Sequence, residues 1–117
     1  MAGPGGLPVL TCGTKQLINP SYTYNNMIRL NVFIQVDAAH RDAVLEAAKA
    51  LTACSLKDAG CVAYDIFESS TRPDVLLICE TWADAPSLSA HSASDHFKKY
   101  VGQIEQLGTM KLEQFDF

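Results

Sequence analysis

Long apolar runs, clustered basic residues and paired cysteines are all missing from this sequence, and each absence removes a class of function. No stretch approaches the ~20 consecutive apolar residues that a membrane-spanning helix requires. The nine Lys and Arg are scattered, with Lys98-Lys99 the only adjacent pair, and the formal net charge is −4. Nucleic-acid binding draws on clustered phosphate contacts, so this distribution argues against it. Cys12, Cys54, Cys61 and Cys79 form no C-x-x-C pair and no zinc-like spacing. They read as reduced thiols of a cytoplasmic protein, with Cys79 a small core hydrophobe inside an apolar strand. A Cys54–Cys61 disulfide would have to close over a helix end, and nothing in the spacing calls for it. Tryptophan and histidine are scarce too: Trp82 stands alone, and His40, His91 and His96 are the three histidines.

What remains is enough for one domain. A chain of 117 residues buries roughly two-thirds of its unfolded surface and needs no metal or disulfide staple. Hydrophobic residues make up 48% and charged residues 19%, a slight apolar surplus that hints at a subunit interface. Residues 1–26 differ from the rest: they hold four of the seven Gly and three of the five Pro, with no sustained period. Gly3-Pro4-Gly5-Gly6 supplies neither the basic start nor the apolar centre of a signal peptide. Met27 opens a typical domain start. Residues 1–26 then form either a mobile tail or an arm lying on a partner subunit through Ile18, Tyr22 and Tyr24.

Periodicity predicts the elements of 27–117. Ile28, Leu30, Val32, Ile34 and Val36 alternate with Arg29, Asn31, Phe33 and Gln35, a strand of period two. Asp37 is expected to cap a helix over 39–57, whose apolar face is Val44, Ala47, Ala48, Leu51 and Cys54. Gly60 ends that unit. Cys61 to Glu68 is a second strand, residues 69–74 are a turn by composition, and Val75 to Trp82 is a near-continuous apolar strand, central or covered on both sides. Asp84 caps the next helix with Pro86 in its first turn. Ser94 looks like a second cap that restarts the helix through His96, Phe97, Tyr100, Val101, Ile104 and Leu107. Gly108 stops it, and Met110 to Phe117 is the last strand.

The order β-α-β-β-α-β predicts an α+β, ferredoxin-like antiparallel sheet with its helices on one face. The other face would carry Phe33, Tyr64 or Phe67, and the apolar third strand. A second copy of the same sheet is the economical cover, so a symmetric homodimer packed sheet to sheet is expected.

The stretch 80–97 gathers Trp82, His91 and His96 within fifteen positions, residue types that line aromatic pockets and move protons. Trp82 shares a strand face with Leu76, Ile78 and Glu80, either as a pocket wall or as a core residue closing the strand. His91 and His96 would sit about 140° apart on a straight helix, and a break at Ser94 would bring them together. One reading makes one of them a general base; the other makes His96 a capping residue and His91 a satisfied half-buried one. A metal site is not expected, because no carboxylate or Cys sits at ligand spacing nearby. Glu80 has a raised pKa if it points inward, or is structural if it pairs with Arg29. Asn31 either holds a substrate oxygen or faces solvent. Tyr64 is the more useful pocket residue of the Tyr64/Phe67 pair. His40 is expected to face solvent.

The residues Leu76-Leu77-Ile78-Cys79-Glu80-Thr81-Trp82, Leu88-Ser89-Ala90-His91 and Ser94-Asp95-His96-Phe97, with Gly60-Cys61-Val62-Ala63-Tyr64, resemble the antibiotic biosynthesis monooxygenase domain over 27–117. The resemblance implies the dimeric α/β barrel superfamily. It also implies oxygenation of a quinol or polyketide-like aromatic by dioxygen, without metal, flavin or other cofactor. Anthrone-oxidising members are similar in carrying an Asn four residues before the Trp. Here that position is Ile78, which leans toward the quinol monooxygenase branch. The haem-degrading branch is similar at Asn31, but its helix Trp falls at His91 and its iron-ligating His at Val101, which disfavours haem chemistry. The implied assignment is His91 or His96 as base, Trp82 and Tyr64 as aromatic wall, and Asn31 and Glu80 as polar substrate contacts. The alternatives are a small-metabolite binder, an isomerase of phosphorylated compounds using Arg29 or Lys98, and a stress-associated structural dimer with a vestigial cavity.

Overall fold

A computed structural model describes residues 27–117; the N-terminal extension, with Cys12 and the anchors Ile18, Tyr22 and Tyr24, lies outside the described residues. The chain runs β1 (Ile28–Val36), α1 (Arg41–Ser55), β2 (Cys61–Glu68), β3 (Val75–Trp82), α2 (Ala85–Ser92), α3 (Asp95–Leu107) and β4 (Gly108–Asp116). The four strands form one antiparallel sheet in the order β2-β3-β1-β4. This is the expected ferredoxin-like α+β arrangement, with the second helical region split in two.

Alternation along β1 decides which face is covered. Ile28, Leu30, Val32, Ile34 and Val36 are buried, while Arg29, Phe33 and Gln35 are exposed. Register carries the division across the sheet: Val32 pairs with Ile78 on one side and Leu112 on the other. The buried strand residues join Val44, Ala47, Ala48 and Leu51 of α1 and Ile104 of α3 in one core. Each fully buried Leu or Ile there contributes roughly 1.5–3 kcal/mol. β3 is central, as its apolar run predicts, but only one side is sealed: Leu76 and Ile78 are buried, while Val75, Leu77 and Cys79 are half-buried.

Two boundaries differ from the periodicity reading in ways that shape the site. α1 begins at Arg41, because Asp37 spends its carboxylate on the preceding turn, accepting from the His40 backbone N–H at 3.0 Å and facing the His40 ring at 2.9 Å. α1 ends at Ser55, and a turn over 56–60 follows. Its backbone is fixed by Asp58 N–H to Ser55 C=O at 3.0 Å and Cys61 N–H to Asp58 C=O at 3.1 Å. Gly60 closes the turn at φ +81°, the left-handed region, and a Cβ there would run into the Ser87 side chain. That close approach seats the α1–β2 turn against the start of α2.

Candidate functional site

The break at Ser94 builds the site. Asp84 caps α2 by accepting from the Ser87 N–H at 2.9 Å, and Pro86 fits the first turn. Ser94 caps α3 by accepting from the Phe97 N–H at 3.2 Å, and its hydroxyl donates to the His91 carbonyl at 2.6 Å. One hydroxyl therefore fixes both helix ends at the junction. The bend brings the His91 and His96 rings to 5.9 Å between centroids. Into the gap the α1–β2 turn delivers Asp58, whose Oδ2 lies 2.8 Å from His91 Nδ1 and 2.8 Å from His96 Nε2. A carboxylate oxygen only accepts, so both facing nitrogens carry their protons there. A neutral His91 then presents an unprotonated Nε2.

That Nε2 is buried and has no hydrogen-bond partner among the described residues. Glu80 Oε1 lies 4.0 Å from it. Glu80 points inward from β3 and accepts from the Trp82 indole N–H at 2.7 Å. Trp82 is fully buried and lies tilted over the His91 ring, 4.5 Å away with 35° between planes. Tyr64 and Phe97 meet His91 edge-on at 5.7 and 5.2 Å. His91 thus sits in an aromatic collar, with one nitrogen tied to Asp58.

Beneath the helical layer is a cavity of about 330 Å³, at the small end of ligand pockets. Leu30, Val32 and Ile78 form its floor, Leu88, Phe97 and Val101 its helical wall, and Tyr64, Glu80 and His91 its polar corner. The rim passes Leu112 and Gln114 of β4 and Glu105 of α3, all exposed. Among the described residues, no Lys or Arg lines it.

Burial sets the protonation states. It pushes the His91 pKa below the ordinary value, against the opposing hydrogen bond and charge of Asp58, so the ring is neutral at pH 7. Burial raises Glu80 to about 7, with the Trp82 hydrogen bond opposing. Burial, and then the Glu80 charge, push the Tyr64 phenol well above its usual range, so it remains an O–H donor.

The structure brings together five of the residues singled out in the sequence: His91, His96, Tyr64, Glu80 and Trp82. Their placements differ. His91, Tyr64 and Glu80 line the cavity; Trp82 stands behind them, and His96 reaches the site through Asp58. Asn31 does not join them. It pairs with Cys79 and Glu113 on the opposite sheet face, because it is out of phase with Leu30 and Val32. Arg29 is on that face too, bonding Thr81 Oγ1 at 2.8 Å, so Glu80 has no partner there. The sequence held no carboxylate at ligand spacing from the histidines, yet the fold supplies Asp58, 33 and 38 positions away. The one local signal for Asp58 is its place just before Gly60, in the turn after α1.

A model of the family "Antibiotic biosynthesis monooxygenase" matches residues 27–103. A Bacillus subtilis (strain 168) protein named "Putative monooxygenase YcnE" is 28% identical over 87 residues, 74% of this chain and 92% of that protein. A crystal structure of a conserved Bacteroides thetaiotaomicron VPI-5482 protein of unknown function, described as a possible oxidoreductase, is 60% identical. It superposes with a TM-score of 0.78 over 80% of this chain and 99% of that one. PA3566 from Pseudomonas aeruginosa is 25% identical with a TM-score of 0.74, over 82% and 98% of the two chains. With the family model spanning well over half of its length, this chain belongs to the antibiotic biosynthesis monooxygenase family.

Proposed function

We propose that the protein is a monooxygenase of small quinol-type aromatics, with His91 as the proton acceptor. The family and its relatives' names support monooxygenase-type function in general; the substrate class and the residue roles are our reading of the site. The observation that carries it is the buried, unpartnered Nε2 of a histidine whose other nitrogen is held by Asp58. An oxygen at about 2.8 Å from both His91 Nε2 and Glu80 Oε1 would bridge their 4.0 Å separation at an angle of roughly 90°. A substrate hydroxyl seated there gives its proton to Nε2 while a protonated Glu80 or the Tyr64 hydroxyl donates to its oxygen.

The phenolate so formed is electron-rich enough to react with dioxygen directly in a site that excludes bulk water. The balance closes without a further reductant: a hydroquinone and O₂ give a hydroxyquinone and water, the substrate supplying both electron pairs. A cavity of about 330 Å³ suits one or two fused rings. Among the described residues the lining has Glu80 and Glu105 and no Lys or Arg, which opposes a phosphorylated substrate. Phe33 and Phe67 face away from the cavity, so they do not fill it as a vestigial pocket would require.

We take the active form to be a homodimer joined by the bare sheet face, where Phe33, Phe67 and Phe115 are 38%, 47% and 51% exposed. Oxygen uptake against a panel of reduced benzo- and naphthoquinones tests the reading. Turnover should appear without added metal or flavin and fall about 10²–10⁴-fold in His91→Ala at unchanged circular dichroism. Wild-type uptake in that variant would reject His91 as the base.

A further inference from the structure

We propose that Asp58, His91 and His96 form a binding site for one divalent late first-row cation of the Zn²⁺ type. Their ligand atoms, Asp58 Oδ2, His91 Nδ1 and His96 Nε2, all lie within 4.8 Å of one another. They come from the α1–β2 turn, α2 and α3, three segments locked by Gly60 and Ser94. Two imidazoles and one carboxylate suit Zn²⁺, Co²⁺ or Fe²⁺ rather than Ca²⁺ or Mg²⁺. Three protein ligands leave a fourth position for water. The Asp58 and His96 side chains are 21% and 22% exposed, which gives an ion a way in, while His91 is closed at 1%. Ligand bonds of about 2.0–2.1 Å in a tetrahedral set put ligand atoms about 3.3 Å apart, so Asp58 Oδ2 would draw back by about 0.5 Å from its 2.8 Å contacts with the two nitrogens, which themselves lie within 4.8 Å of each other.

A second, independent observation points the same way. His91 Nε2 is buried without a hydrogen-bond partner among the described residues. When Nδ1 holds a metal, the ring proton resides on Nε2 instead, facing Glu80 Oε1 at 4.0 Å. Closing that 4.0 Å gap to hydrogen-bond length would place a carboxylate, itself held by Trp82, in the outer shell of the ligating histidine. The protons balance: each neutral histidine keeps one, moved through solvent to its non-ligating nitrogen, and no group is oxidised or reduced.

The binding stands apart from the oxygenase reading; its consequence for turnover rests on that reading. A bound ion converts His91 Nε2 from proton acceptor to proton donor, so metal-loaded protein should lose quinol oxidation.

Metal-stripped full-length protein titrated with Co²⁺ tests the site by its visible ligand-field absorption, and Zn²⁺ displacement gives the affinity. One equivalent per chain is expected, with a tetrahedral band. Affinity should fall about tenfold or more in each of Asp58→Asn and His96→Gln, both at partly exposed positions, and Glu80→Gln should weaken it less. Absence of a band, or affinity unchanged in both ligand variants, would overturn the site. The absorption is read without turnover, so a protein that binds Co²⁺ and oxidises no quinol would count against the proposed function and not against the metal site.

Discussion

The two faces of the sheet are built from one alternating pattern and do opposite things. On the helical face, Leu30, Val32 and Ile78 are sealed, and the polar groups among them, Glu80 and His91, are held by Trp82 and Asp58. On the bare face, Phe67, Leu77, Phe33 and Lys111 stand in one cross-strand row, and Phe115 and Arg29 in another. Among the described residues, no helix covers them. A polar group on the covered face is expensive and therefore informative about chemistry. An apolar group on the open face is informative about association. In the proposed function the first face carries proton transfer and the second carries subunit contact.

Substitutions at matched depth break or sharpen that division. The largest effect on the covered face short of removing His91 should come from Asp58→Asn. The amide can donate to Nδ1 and push the ring proton onto Nε2, the wrong tautomer for a base. Oxygen uptake should fall about 10²-fold or more with little change in melting temperature. On the bare face, Phe33→Glu places like charges opposite each other in a face-to-face dimer and removes two aromatic contacts. Sedimentation should show a shift toward monomer, with a cost of about 2 kcal/mol or more per copy. Uptake retained by an intact dimer of this variant would detach the bare face from association.

Glu80→Gln separates charge from packing. Burial raises the Glu80 pKa to about 7 from an ordinary 4.5, so the folded state binds more protons than the unfolded between those values. Its contribution to stability is therefore complete below pH 4.5 and declines as pH rises to about 7, by about 3 kcal/mol. Gln keeps the acceptor for Trp82 and cannot ionise. Urea unfolding at pH 5 and pH 8 should show the variant gaining on wild type at the higher pH. His91 works with the opposite sign: its folded pKa is lowered, so its contribution is lost as pH falls below the unfolded value of 6.5. The smallest effect should be at Asn31. On the bare face it has no route to the cavity, and Asn31→Ala should leave uptake per subunit unchanged and stability within about 0.5 kcal/mol.

Local pattern made much of this legible. Period two in β1 assigned every residue of that strand to its face, and the N-cap chemistry of Ser94 foretold the bend that joins His91 to His96. The phase of Glu80 with Ile78 and Leu76 put it on their face, but whether it points inward or pairs with Arg29 stayed open until the fold placed Arg29 against Thr81. Long-range proximity was not legible. Asp58 sits in a turn whose length and left-handed glycine are readable, but its meeting with two helices depends on how α1 crosses the sheet. Trp82 could be placed on its face but not at its depth, behind Glu80 and His91 rather than against the cavity. Asn31, which the sequence left either as a contact to a substrate oxygen or as a solvent-facing residue, lies on the sheet face that its alternation with Leu30 and Val32 dictates.

The central claim is that Asp58 fixes His91 as the tautomer protonated at Nδ1, leaving Nε2 an acceptor in a closed aromatic setting. Ring ¹⁵N chemical shifts of His91 in histidine-labelled, metal-free protein at pH 7 read this directly. The account predicts a protonated, pyrrole-type Nδ1 and an unprotonated, pyridine-type Nε2, with that pattern lost in Asp58→Asn. A protonated Nε2 in the wild-type protein, either as the other tautomer or as the imidazolium, would contradict it.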